Sequence, residues 1–155
     1  MLNQIQHFLE QQLTFFSAEE DTEAQLKRAS IALLLEMIII DDKDEPVERE
    51  LVLSIVKKSF SLSDVQATTL IASAEQQRKQ ATDYFEFTSL INKQCSLEQK
   101  IQLIESLWRI AFIDGVLDPQ EEYLVRKIAN LLYVPHVDFI LAKNRVNPLA
   151  NTHAA

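Results

Sequence analysis

The sequence predicts an all-α protein, and three observations lead to this class. The chain of 155 residues contains only one Gly and four Pro, whereas the turns of β-proteins are rich in both residues. Apolar residues recur at the three- and four-residue spacing of helices. Good helix formers such as Leu, Ala, Glu and Gln are abundant. With 47% hydrophobic residues, the chain can bury one core, so we expect a single domain over residues 1–146.

The two ends of the chain differ in pattern. Residues 1–16 are predicted to form an amphipathic helix that packs on the rest of the domain. Its apolar residues follow helical spacing: Leu2, Ile5, Phe8, Leu9, Leu13 and Phe16. The polar face of this helix carries no Lys or Arg, so we do not expect it to lie on a membrane surface. Residues 147–155 lack an apolar pattern, which predicts a flexible tail.

A series of helices is predicted between these ends. The first begins near Thr22, and it is expected to be central because residues 31–40 are apolar on every side except at Glu36. A later helix, rich in aromatic residues, is expected to cover the core. Another is preceded by a capping box of Ser96 and Gln99, whose side chains bond to backbone N–H groups at a helix start. The predicted helices cover residues 22–41, 46–59, 64–80, 83–93, 97–114, 119–132 and 135–144.

The chain contains an internal repeat. Residues 40–48, Ile-Asp-Asp-Lys-Asp-Glu-Pro-Val-Glu, align without a gap with residues 113–121, Ile-Asp-Gly-Val-Leu-Asp-Pro-Gln-Glu. The apolar match continues into the helices that follow. Because Asp, Pro and Glu recur at the turn, the similarity exceeds a shared helical period. We therefore predict two tandem helix-turn-helix repeats, 22–80 and 96–146, related by a pseudo-twofold axis.

In this register Glu36 aligns with Arg109, and both lie on otherwise apolar helices that should pack against each other. One hypothesis is a partly buried ion pair across the pseudo-twofold, since a lone buried charge is costly. The alternative is that each side chain extends separately to solvent.

The two acidic turns have a structural explanation. Asp118 is a suitable N-cap, Pro119 fits the first helical position, and Glu121 completes a capping box. Gly115, the only Gly of the chain, is expected to end the preceding helix in a left-handed conformation, and Asp42 occupies the aligned position. Most residues of the turns would be selected without any ligand.

Asp41 and Asp114 are harder to explain as caps. Each is predicted in the last turn of a helix, where the dipole disfavours an anion. Their carboxylates either accept N–H groups of the following helix or hold a divalent cation together with Glu48 and Glu121. Oxygen ligands without Cys or His favour a hard ion such as calcium or magnesium. The spacing does not match an EF-hand loop.

Residues 114–121 resemble a known motif. After an apolar helix containing Ala111, they are similar to the Asp-Gly, hydrophobic, acidic or hydroxylic, two-residue spacer, Glu signature of TerB-like domains from the tellurite-resistance group. The resemblance covers roughly residues 23–146, and the earlier copy fits because these domains carry the motif twice around a pseudo-twofold. That copy departs from the pattern: Asp42 replaces the Gly, and Asp44 replaces the hydrophobic residue aligned with Leu117.

The resemblance implies a helical, non-enzymatic module associated with tellurite and stress resistance, with acidic clusters proposed to bind divalent cations. An alternative is a protein-interaction module in which the same carboxylates only cap helices. If a cation binds, the expected primary ligands are Asp41, Glu48, Asp114 and Glu121. The expected supporting residues are Asp42, Asp44, Glu45 and Asp118.

Charge and the remaining residues restrict the function further. The net charge of -8 argues against nucleic acid and anionic membranes, which require a basic patch, and suits a protein partner. The single cysteine, Cys95, cannot form an internal disulfide, and no basic segment precedes the first apolar residues, so we expect a cytoplasmic protein. His7, His136 and His153 do not cluster, and one Gly cannot build a phosphate loop. No enzyme activity is expected.

Overall fold

The computed structural model describes residues 22–40 and 45–147. All regular secondary structure within these two ranges is helical, which confirms the predicted all-α class. The predicted N-terminal helix, at residues 1–16, and the tail beyond residue 147 lie outside the described residues. The first acidic turn is only partly described, because residues 41–44 also lie outside them.

The helices agree closely with the predicted ones. The main difference is in the fifth, which ends at Ala111 rather than at the expected Asp114. The helices are α1 (residues 22–39), α2 (Pro46–Phe60), α3 (Asp64–Gln80), α4 (Phe85–Gln94), α5 (Leu97–Ala111), α6 (Pro119–Leu131) and α7 (His136–Val146).

Helix starts follow the local sequence. At α5, the Ser96 hydroxyl accepts the Gln99 N–H at 3.2 Å, and the Gln99 side chain accepts the Ser96 N–H at 2.8 Å. This confirms the predicted capping box. Ser63 and Gln66 form the same box at α3. Both α2 and α6 instead begin with Pro, whose missing N–H has no intrahelical partner at that position.

The ends of α2 and α6 also resemble each other. After α2, Ser61 is left-handed with φ 53, and the Leu62 N–H donates to the Lys57 carbonyl at 3.0 Å. After α6, Tyr133 is left-handed with φ 57, and the next residue donates to the Ala129 carbonyl at 3.0 Å. Both are the six-to-one hydrogen bond of a Schellman closure. The helices that follow the two acidic turns therefore stop in the same way.

The core is built around α1 and α5. Ile31 to Leu35 are all buried, as expected for a central helix, and Glu36 is half-buried. α5 packs against α2, α6 and α7, while α3 packs against α2 and α4 against α6. Burial of these apolar faces is the main stabilising contribution to such a fold. Among the described residues, no helix is both long and apolar enough to cross a membrane.

Aromatic residues fill the space between α5 and α7. Trp108 is fully buried, and its ring lies 5.7 Å from that of Phe112 and 5.2 Å from that of Phe139. Phe87 on α4 is buried, as expected of a helix that covers the core. The expectation is wrong for Phe85, which is 66% exposed. Phe85 therefore points away from the core, whereas Phe87, two residues later, points into it.

Candidate functional site

The second acidic turn joins α5 to α6 and is fully described. Gly115 has φ 82, in the left-handed region, and donates its N–H to the Phe112 carbonyl at 3.0 Å. Asp114 is exposed, and its Oδ1 accepts the Val116 N–H at 3.1 Å. The Asp118 Oδ1 accepts the Gln120 N–H at 2.7 Å, so Asp118 caps α6 as predicted. Both aspartates thus hold the backbone of the turn.

The position of Asp114 corrects one expectation. Because α5 ends at Ala111, Asp114 does not lie in the last turn of a helix, and the unfavourable helix dipole does not act on it as supposed. Its bond to the Val116 N–H is a local turn interaction typical of Asp. Asp41, for which the same expectation was made, lies outside the described residues.

Glu48 and Glu121 occupy the same position on two different helices. Each is the third residue of a helix that begins with Pro, α2 for Glu48 and α6 for Glu121. Each is only 3% exposed, although glutamate is rarely buried to this degree. Both have interaction partners in the structure. A carboxylate in the first turn of a helix is stabilised by the dipole and by free N–H groups, so burial is tolerated here.

The remaining predicted ligands are distributed unevenly. Glu45 is exposed at the start of α2, and its side chain makes no capping bond, in line with Glu being a poor cap. Asp41, Asp42 and Asp44 lie outside the described residues. Within residues 22–40 and 45–147, no three carboxylate, His or Cys side chains lie close enough together to hold a metal ion. The eight-residue ligand set remains a prediction.

A different cluster surrounds Glu36. Its Oε1 accepts the Arg78 Nη1–H at 3.2 Å, and its Oε2 lies 3.4 Å from the Tyr84 hydroxyl, which donates to it. Arg109 is exposed on α5. The hypothesis of a Glu36–Arg109 ion pair is therefore wrong, because the partner of Glu36 comes from the end of α3. Alignment of the two predicted repeats could not indicate Arg78, which lies at the end of the first repeat, beyond the segment that aligns.

The Tyr84 hydroxyl and the Cys95 thiol each have a perturbed pKa. Burial, followed by the charge of Glu36, raises the pKa of the Tyr84 hydroxyl above its usual value. Burial also raises the pKa of the Cys95 thiol, with a smaller opposing effect of Lys100. A raised thiol pKa disfavours the reactive thiolate. This environment is typical of a structural cysteine rather than a nucleophile.

The described part of the chain is thus an all-α domain with an acidic turn before α6 and a glutamate buried at the start of both α2 and α6. The family model described as Tellurite resistance protein TerB matches residues 27–144. The chain belongs to this family, as the resemblance of the acidic turns implied. The comparison with curated proteins found no match, and the comparison with solved structures found none either.

Proposed function

We propose that this chain is a non-enzymatic binding module of the tellurite resistance family, acting in the cytoplasm, whose acidic turns at residues 41–48 and 114–121 bind a divalent cation. The observation that supports this most is the equivalent burial of Glu48 and Glu121, each 3% exposed at the third position of its helix. A buried carboxylate beside an aspartate-rich turn provides oxygen ligands and little competing solvent.

The chemistry of the donor atoms restricts which class of ion is expected. All eight predicted ligands are carboxylates, which favour hard cations over zinc or copper. Magnesium is commonly held by one or two carboxylates, and water fills the rest of its octahedral shell. Such a site does not need three protein ligands in contact. The net charge of -8 further favours a cation over an anion.

A second candidate function is favoured by the second turn. Asp114 and Asp118 each accept a backbone N–H, which is sufficient reason for an aspartate at both positions. In this case the acidic turns are structural, and the module acts by binding another protein. Exposed Val116, between the two aspartates, would then belong to the interaction surface.

The test is a titration of chelator-stripped protein with calcium and with magnesium, followed by amide NMR. We expect saturable shifts at residues 41–48 and 114–121, and their loss when Asp41→Asn and Asp114→Asn are combined. Asp83→Asn is the matched control. Like Asp114, Asp83 accepts a hydrogen bond from the backbone N–H of the residue two positions later, but it lies outside the acidic turns. It should bind the ion normally.

Either outcome decides between the two candidates. Shifts that are lost in the double variant and retained in the control support the cation site. Flat spectra from well-folded protein would show that the carboxylates are caps and leave protein binding as the function. Glu48→Gln and Glu121→Gln, made singly, then show which turn carries the ion, because an amide keeps the size of the side chain but removes its charge.

A further inference from the structure

A polar cavity lies between α1, the α3–α4 connection and α6, and none of its lining residues belongs to the acidic turns. Its volume is about 330 Å³, within the range of sites that hold small ligands. Charged and hydroxyl side chains dominate the walls. The polar residues that line it are Glu36, Arg78, Thr82, Asp83, Tyr84 and Lys127.

Arg78 has hydrogen-bonding capacity that the protein does not use. Its side chain is only 15% exposed, and its guanidinium makes a single ion pair, from Nη1 to Glu36. The Nε atom is buried, and none of the described residues offers it an acceptor. A guanidinium carries five N–H donors in a fixed fork, and an unmet buried donor is unfavourable. The Arg78 guanidinium therefore keeps N–H donors from which no described residue accepts.

The nearby carboxylates do not accept from the Arg78 Nε. Both oxygens of Glu36 already accept, one from Arg78 and one from the Tyr84 hydroxyl. Asp83 uses Oδ1 to accept the Phe85 N–H at the start of α4. Both carboxylates are held by these hydrogen bonds, and neither accepts from the Arg78 Nε.

Lys127 adds a second positive charge to the cavity. Its Nζ lies 5.2 Å from the centre of the Tyr84 ring, a cation–π distance. Among the described residues, no carboxylate lies within ion-pair distance of Lys127. The cavity thus contains one cation, Arg78, that has unused donors. A second cation, Lys127, has no anionic partner among the described residues.

We propose that this cavity binds a small ligand through an oxyanion group, a carboxylate or a phosphate, held by Arg78 and Lys127. The guanidinium fork matches the paired oxygens of either group. Asp83 and Glu36 lower the local positive potential, so the isolated oxyanion binds weakly, with a Kd of roughly 1 to 10 mM. The site uses none of the residues of the acidic turns, and the proposal stands whether or not those turns bind a cation.

The experiment is an amide NMR titration with inorganic phosphate and, separately, with acetate, each against sodium chloride at equal ionic strength. We expect saturable shifts at residues 78–84 and at Lys127. Lys127→Gln should raise the Kd about fivefold, as expected for loss of one charge contact from an exposed side chain. Lys79→Gln is the matched control, because this exposed lysine follows Arg78 but does not line the cavity.

The two oxyanions distinguish the source of the ligand. Saturation by phosphate alone supports a phosphate ligand, saturation by acetate alone supports a carboxylate, and saturation by both supports the shared chemistry. Shifts equal to those in chloride, or unchanged by Lys127→Gln, would overturn the proposal. Arg78→Gln should also weaken binding, but Glu36 then loses its partner. If Arg78→Gln does not fold, Lys127→Gln still tests the proposal.

Discussion

At the scale of single residues, backbone conformation explains which residue types occupy the turns. Gly115 adopts φ 82, and a Cβ added there would meet nothing within 4 Å. The preference for Gly therefore comes from the backbone and not from space, which is why it could be predicted from the sequence. Ser61 and Tyr133 are also left-handed, but neither residue type signals this conformation.

Tyr84 gives a prediction for alkaline pH. Burial and then the Glu36 carboxylate raise the pKa of its hydroxyl in the folded state, so the neutral form is favoured by folding. This contribution is fully present below the unfolded pKa, near 10, and is lost as pH rises through the higher folded pKa. Unfolding by urea should therefore show stability falling above about pH 10, and falling less in Tyr84→Phe.

Two controls make this alkaline loss specific. Tyr123 is exposed, so Tyr123→Phe controls for the removal of a tyrosine hydroxyl outside the core. Cys95, whose pKa is also raised by burial, contributes a loss of the same sign, and both tyrosine variants are compared in a Cys95→Ser background. An unchanged slope in Tyr84→Phe would contradict the assigned role of Tyr84.

At the scale of helices, caps differ sharply in what they contribute. Ser96→Ala removes an acceptor that holds the Gln99 N–H and should destabilise the protein by about 1 kcal/mol. Glu45→Ala should change stability little, because Glu45 starts α2 without a side-chain capping bond. Urea unfolding of both variants measures the difference. Equal losses would mean that the capping box does not stabilise α5.

Helices were predictable where local chemistry marks their ends. The Ser96 box and the two Pro-initiated starts place α2, α5 and α6 within a few residues of their observed starts. The end of α5 was not predictable, because Phe112 and Ile113 continue the apolar pattern beyond the last helical residue. That error also produced the incorrect dipole argument for Asp114.

At the scale of the whole molecule, contacts between distant elements were the least predictable. Glu36 pairs with Arg78, forty-two positions away in the chain. Nothing in the local sequence around either residue indicates that the other is its partner. The repeat alignment suggested Arg109 because it assumes that partners obey the pseudo-symmetry. The candidate cation ligands were predictable only as a set, since their arrangement depends on the fold.

The Glu36–Arg78 contact predicts energetic coupling. Glu36→Gln and Arg78→Gln should be non-additive in a double-mutant cycle, with a coupling of about 1 to 3 kcal/mol for a largely buried pair. The cycle of Glu36→Gln with Arg109→Gln is the control and should be additive within about 0.5 kcal/mol. Coupling in the control cycle, or none in the first, would contradict the observed pairing.

Trp108 has a consequence for observing the protein. It is the only tryptophan, it is fully buried in α5, and Lys143 lies over its ring at 5.3 Å. Because Phe139 and Lys143 of α7 contact its ring, loosening of α7 alters the surroundings of the indole. Its emission wavelength is thus an intrinsic optical reporter of the core, and ligand-induced changes can be followed without adding a label.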